Sequence, residues 1–247
     1  MMREARPPRF AVVLPTYNEA ANIERVVRTL QEVFSAAGLV EHEIVIVDDD
    51  SPDGTGSIAD TLAAASGGRV RSVRRQGERG LATAVVAGWK TSSAPVLAAM
   101  DADGQHPPDV IPRLLEALER GADLAVASRY TAGGDIPRWN IVRRLGSKFA
   151  TFLVRLALPA GVRQVRDPLS GCFALRREVI EGVELKPLGF KILLEVMIRG
   201  RVRRLEEVPF VFAPRGAGKS KLGARVAILD ALQLLRSSWQ SRRSRAS

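Results

Sequence analysis

The chain has 247 residues, 46% of them hydrophobic and 26% charged, and a formal net charge of +10. That is enough sequence for one domain of ordinary size, and the balance excludes a disordered chain, a collagen and a disulfide scaffold. A single cysteine, Cys172, cannot form an internal disulfide, and with only His42 and His106 it cannot build a zinc site, so a reducing, cytosolic-side setting is expected.

The first nine residues are basic but lead straight into a strand-like run, without a secretory apolar segment or small-residue cleavage site, so no signal peptide is predicted. Runs rich in Val, Ile, Leu and Ala at 10–14, 43–47, 70–74, 96–100 and 124–127 are predicted strands, and 208–212 is expected to be the last one. Between them, Ile23, Val26, Val27 and Leu30 share a helical face, as do Ile58, Leu62 and Ala65, then Leu81, Ala84 and Val85. The pattern continues over 113–118. Alternating strands and helices predict parallel βαβ units, with ligands bound outside the carboxyl ends of the strands. The longest stretches free of charge are ten residues, 80–89 and 91–100, too short to span a bilayer.

Those carboxyl ends carry the chemistry. The first strand runs into Pro15-Thr16-Tyr17-Asn18-Glu19, the second into Asp48-Asp49-Asp50-Ser51-Pro52-Asp53-Gly54-Thr55, and the fourth into Asp101-Ala102-Asp103-Gly104-Gln105. Carboxylates gathered at one edge of a sheet repel one another unless a cation lies between them. Mg2+ or Mn2+ fits, because both take oxygen ligands and share them with substrate phosphates. Asp101 and Asp103, two residues apart, would lie on one side of an extended chain. Asp53-Gly54-Thr55 reads better as a turn and helix cap than as part of a site.

Basic charge is concentrated in two segments. Residues 138–177 hold nine Lys/Arg against one acid, and 201–247 hold eleven against three, leaving the remainder net acidic. Such patches suit an anionic partner, although a solvated arginine-rich surface has the same composition. Within them, 141–158 aligns Ile141, Leu145, Phe149, Phe152, Leu153 and Leu156, and 222–239 aligns Ile228, Ala231, Leu232, Leu235 and Trp239. Both stripes fit interfacial helices, and core-facing helices show the same spacing. Their coincidence with the basic segments favours contact with an anionic membrane surface. Gly216-Ala217-Gly218-Lys219-Ser220 is not a P-loop, because Ala213 stands where that motif needs its first glycine.

Taken in order, PTYNE, VDDDSPDGT and MDADGQHPP resemble the family-2 glycosyltransferases of the GT-A fold, a mostly parallel α/β sheet flanked by helices. Within that family the likeness is to polyprenol-phosphate mannosyl synthases, carried by 127–130 (ASRY), 167–173 (DPLSGCF), 187–191 (PLGFK) and 215–222 (RGAGKSKL). It covers roughly 9–235. The turn 80–84 departs from the family's usual Gly-Leu-Gly, and the C-terminal membrane anchors that many relatives carry are not expected here. The resemblance implies a catalytic domain over 9–212, an interfacial acceptor region at 138–160, and an acceptor loop with an amphipathic helix and basic tail over 213–247.

It also implies roles. Pro15, Tyr17 and Glu19 would line the nucleotide pocket, with Val47 and Asp49 at the base and ribose and Asp48 close by. Asp101, Asp103 and Gln105, spaced by Ala102, would hold Mg2+ or Mn2+ against the donor diphosphate. Arg129, with Arg143 or Arg144, and Arg215 would grip the acceptor phosphate, aided by Ser220 and Lys221, through the permanent charge and fixed fork of arginine. The implied reaction is inverting transfer of mannose from GDP-mannose to a polyprenyl phosphate at the cytoplasmic membrane face, with a small membrane-anchoring protein as a further partner. Transfer from UDP-glucose is the nearest alternative. A basic nucleic-acid-binding module leaves the carboxylates without purpose and lacks stacking aromatics, and a non-catalytic subunit would not need Asp101, Asp103 and Gln105. His106 is expected to be structural and Cys172 a buried small residue.

Overall fold

The computed structural model describes residues 7–135, 151–152, 154–155, 158–186 and 191–213. Alternation of β1 (Phe10–Thr16), α1 (Ile23–Ala36), β2 (His42–Asp48), α2 (Thr55–Ala65), β3 (Val70–Arg74), α3 (Leu81–Thr91), β4 (Val96–Met100), α4 (Val110–Glu119) and β5 (Leu124–Ser128) follows the predicted pattern. Then come β6 (Cys172–Arg176), α5 (Ile192–Arg199) and β7 (Leu205–Pro209). The seven strands form one sheet in the order β3-β2-β1-β4-β6-β5-β7.

All neighbours pair in parallel except β6, which runs antiparallel to both β4 and β5. No predicted strand covers β6, and the predicted last strand, 208–212, lies three residues late. Leu205–Pro209 pairs with β5, whereas Val211 makes only an isolated bridge to Asp135. As an edge strand, β7 tolerates Glu206 and Glu207 in half-exposed positions, so its apolar run does not coincide with its pairing.

The sheet is buried on both faces, as successive side chains of β1 show. Phe10, Val12 and Leu14 join α1 and α4 on one side, while Ala11 and Val13 join α3 and α5 on the other. Each large aliphatic side chain withdrawn in this way contributes about 1.5–3 kcal/mol. α3 approaches β1 closely, because a Cβ on Gly88 would lie 2.6 Å from a methyl of Val13. Trp89 closes that layer, donating its indole N–H to Ala98 O at 3.2 Å and meeting Phe173 edge to face.

Two consequences follow for the site. The order β2-β1-β4 makes the crevice beside β1 the point where the chain switches direction across the sheet, and the motifs after β1 and β4 flank it. Because β6 is reversed, its amino-terminal end lies at the edge where the other strands end.

Candidate active site

At that edge the loops after β1 and β2 are laced together. Thr16 Oγ1 donates to Asp48 Oδ1 at 3.0 Å and to Val47 O at 3.2 Å. Asp48 also accepts from the Ser51 hydroxyl at 2.5 Å and the Ser51 amide at 3.0 Å, while Ser51 Oγ accepts from the Asn18 amide at 2.9 Å. Asn18 and Asp50 sit at φ 56° and 57°, in the left-handed region that these two side chains tolerate better than most. Asp53 takes the turn-and-cap role, accepting from the Thr55 amide and hydroxyl and from the Ala20 amide. Burial would raise its pKa, but these bonds outweigh it and hold the carboxyl below its ordinary value.

Asp49 lies in a buried cluster that the sequence did not reveal. Its Oδ1 accepts from Arg75 Nε at 2.7 Å and Nη2 at 2.5 Å, and its Oδ2 from the Gly80 amide at 2.8 Å. Arg75 reaches on to Glu78 and Thr83, so the 80–84 turn is fixed to Asp49. Arg79 lies with its guanidinium carbon 4.6 Å from the centre of the Tyr17 ring. Glu19 anchors the start of α1, its carboxylate accepting from Asn22 Nδ2 at 2.9 Å and its amide donating to Thr55 Oγ1. Pro15 and Val47 are buried in the paired strands, with the Val47 side chain in the core below the edge.

After β4 the chain turns through Asp101, Ala102 and Asp103. Ala102 is packed into the core, and Asp103 Oδ1 accepts from the Gln105 amide at 3.0 Å. Gln105 is joined to the end of the described chain: the Ala213 amide donates to Gln105 O at 3.0 Å, and Gln105 Nε2 donates to Ala213 O at 3.4 Å. His106 is buried, stacked on Phe210 at 5.1 Å and edge-on to Phe212 at 5.5 Å. Burial pushes its pKa down to about 4, with Asp103 opposing, so at neutral pH it is an uncharged wall. Cys172 is likewise buried and its thiol pushed well above the ordinary range, first by burial and then by Asp101, which makes it no nucleophile.

Arg129 leaves β5 to meet Asp167. Nε and Nη2 donate to the two carboxylate oxygens at 2.7 Å each, and the Arg129 amide adds a third bond at 3.0 Å. Burial would lower the guanidinium pKa, but Asp167 reverses this, so the group stays charged. The Arg129 guanidinium also lies 5.4 Å from the Phe212 ring centre. Glu207 accepts from the amides of Arg166 and Asp167, fixing the partner in turn. Arg143, Arg144, Arg215, Ser220 and Lys221 lie outside the described residues, as do most of 141–158, all of 222–239 and the 187–190 part of the PLGFK motif.

Among the described residues no three His, Cys, Asp or Glu side chains gather into a metal cluster. The donor set at the β4 turn nevertheless fits a hard divalent cation: two carboxylates and an amide oxygen, with other positions open to water or phosphate oxygens. The absence of a side chain at Gly171 leaves room for the Asp101 carboxylate at this turn, since a Cβ there would collide with its Oδ2 and Cγ.

An α/β sheet with acidic loops at its switch point defines the class, and the chain belongs to glycosyl transferase family 2, which residues 11–183 match. The architecture is GT-A-like. Among relatives, the chain is 47% identical over 214 residues to the dolichol-phosphate mannosyltransferase of Pyrococcus furiosus, covering 87% of this chain and 59% of that protein. It thus spans less than two thirds of that relative's length. It is 37% identical to the polyprenol monophosphomannose synthase of Mycolicibacterium smegmatis, covering 87% of this chain and 81% of that one. A mannosyltransferase of Pyrobaculum calidifontis, solved with GDP-Man and Mn2+, shares the fold at a TM-score of 0.61 and 20% identity, over 90% of this chain and 60% of that one.

Proposed function

We propose that the chain transfers mannose from GDP-mannose to a polyprenyl or dolichyl monophosphate, with inversion and with Mg2+ or Mn2+. The observation that carries this is the Asp101-Ala102-Asp103 turn beside the β1–β4 crevice, with the loops of Asp48 and Asp49 across β1. Likeness to proteins named dolichol-phosphate mannosyltransferase and polyprenol monophosphomannose synthase supports the sugar and the acceptor.

The chemistry asks little of a general base. An acceptor phosphate oxygen, anionic at pH 7, attacks the anomeric carbon, and the bond to the donor diphosphate breaks with its electron pair leaving on the nucleotide. A divalent cation, when bound, neutralises the departing diphosphate. Asp101, Asp103 and Gln105 would hold that cation. The loops of Pro15–Glu19 and Asp48–Asp49 would seat the nucleotide, Asp49 being fixed in advance by Arg75 and Gly80. Arg129, with Arg143 or Arg144, Arg215, Ser220 and Lys221, would offset repulsion between acceptor phosphate and donor diphosphate. Nη1 of Arg129 lies outside the fork to Asp167 and is the nitrogen to turn toward the acceptor. Rate enhancement then rests on in-line positioning and electrostatic neutralisation.

The basic segments support peripheral attachment to the cytoplasmic face of an anionic membrane, alone or with a small anchoring protein. No helix among the described residues is long and apolar enough to cross a membrane. The test is transfer of label into the organic phase with GDP-mannose or UDP-glucose as donor and a short polyprenyl phosphate as acceptor. GDP-mannose should be preferred. Asp101→Asn and Asp103→Asn should each lose about a hundredfold or more in turnover, and EDTA should match them until Mg2+ or Mn2+ is restored. Full turnover in chelator refutes the metal, and preference for UDP-glucose refutes the donor.

A further inference from the structure

The antiparallel sense of β6 brings Gly171 against Asp101. Met100 pairs with Cys172 across the β4–β6 ladder, and the Asp101 amide donates to Gly171 O at 3.2 Å. A Cβ on Gly171 would collide with Oδ2 and Cγ of Asp101 and lie 2.9 Å from Oδ1. Contacts of that kind do not occur between real atoms, so any side chain at 171 must displace something.

The segment bearing Gly171 has little freedom to retreat. Ser170 is buried, its Oγ accepting from the Cys172 amide and donating to Cys172 O, each at 3.2 Å. Cys172 is fully buried at the start of β6, and Lys191 Nζ holds Leu169 O at 3.1 Å. Asp167, two residues further back, is fully buried in its fork with Arg129. The Asp101 carboxylate is less buried than Ser170, Cys172 and Asp167, so it is the side of the contact that a side chain at 171 would displace.

We propose that Gly171 is a positioning residue for Asp101: its bare Cα is the wall against which the carboxylate rests, and that wall fixes the direction in which the carboxylate meets a cation. The proposal rests on the metal reading above and adds a residue to it. A supporting group of this kind is typically worth about 10- to 100-fold in metal affinity.

The test measures Mn2+ binding by electron paramagnetic resonance, with GDP present, for the wild type, Asp101→Asn and Gly171→Ala. Melting temperature is recorded in EDTA. Wild-type binding lost in Asp101→Asn establishes the metal reading independently; no binding by the wild type refutes that reading, and this proposal with it. Given wild-type binding, Gly171→Ala should weaken Mn2+ by about tenfold or more while GDP binding without metal is unchanged. Wild-type Mn2+ affinity in Gly171→Ala overturns the proposal. Should Gly171→Ala fail to fold, Asp101→Ala in the same chain removes the colliding atoms and should restore folding. A double variant that remains unfolded overturns it too.

Discussion

Asp167→Ala would strand a charge. Asp167 is fully buried and the Arg129 side chain is only 11% exposed, so the two form a forked pair with little access to water. Removing the carboxylate takes three donors from their acceptor, two of them on a guanidinium that stays ionised. Breaking one side of a buried pair costs about 3–5 kcal/mol, because the remaining charge has neither solvent nor partner. For a chain of this length that corresponds to a fall in melting temperature of roughly 6–20 °C. Arg129→Met leaves the opposite charge stranded and should cost a similar amount. The Asp167→Ala/Arg129→Met double variant strands neither, so urea denaturation of both singles and the double should give a coupling of about 2–3 kcal/mol. Additive single effects, or an Asp167→Ala variant within about 1 kcal/mol of wild type, would refute this account of the pair.

His106 gives a pH signature in metal-free protein. Between pH 6.5 and about 4 the unfolded chain binds a proton on this residue that the native protein excludes, so stability is complete above 6.5 and falls as the pH drops toward 4. The loss amounts to about 3 kcal/mol, and His106→Phe should flatten that part of the profile in urea titrations; an unchanged slope would contradict it. Asp49→Ala should weaken nucleotide binding by calorimetry, whereas Arg215→Ala should spare it and raise the acceptor KM by about one to two decades. Equal nucleotide losses would remove Arg215 from the acceptor side. In flotation assays the protein should bind anionic vesicles more strongly than neutral ones, with release by high salt, since each basic residue near such a surface contributes about 1 kcal/mol. Equal binding to both vesicle types would refute the electrostatic part.

What the sequence determined is what local pattern can encode. The period of apolar residues marks five strands and the helices between them, because burial on one or two faces is written every two or 3.6 residues. The loops at the carboxyl ends, rich in Asp, Asn and Gly, mark out the side chains of the proposed site before any fold is known. The sequence could not say that Cys172–Arg176 enters the sheet antiparallel between β4 and β5, since pairing partners are chosen across the chain and an apolar run carries no direction. Nor could it show that Asp49 is held by Arg75, Arg129 by Asp167, and Asp101 by the missing side chain of Gly171. Those partners lie far apart in sequence, and most are ordinary charged residues in a chain full of them. Only when the strands align do two such groups share a dry pocket, where an unpaired charge is too costly to leave and a single methyl has no space.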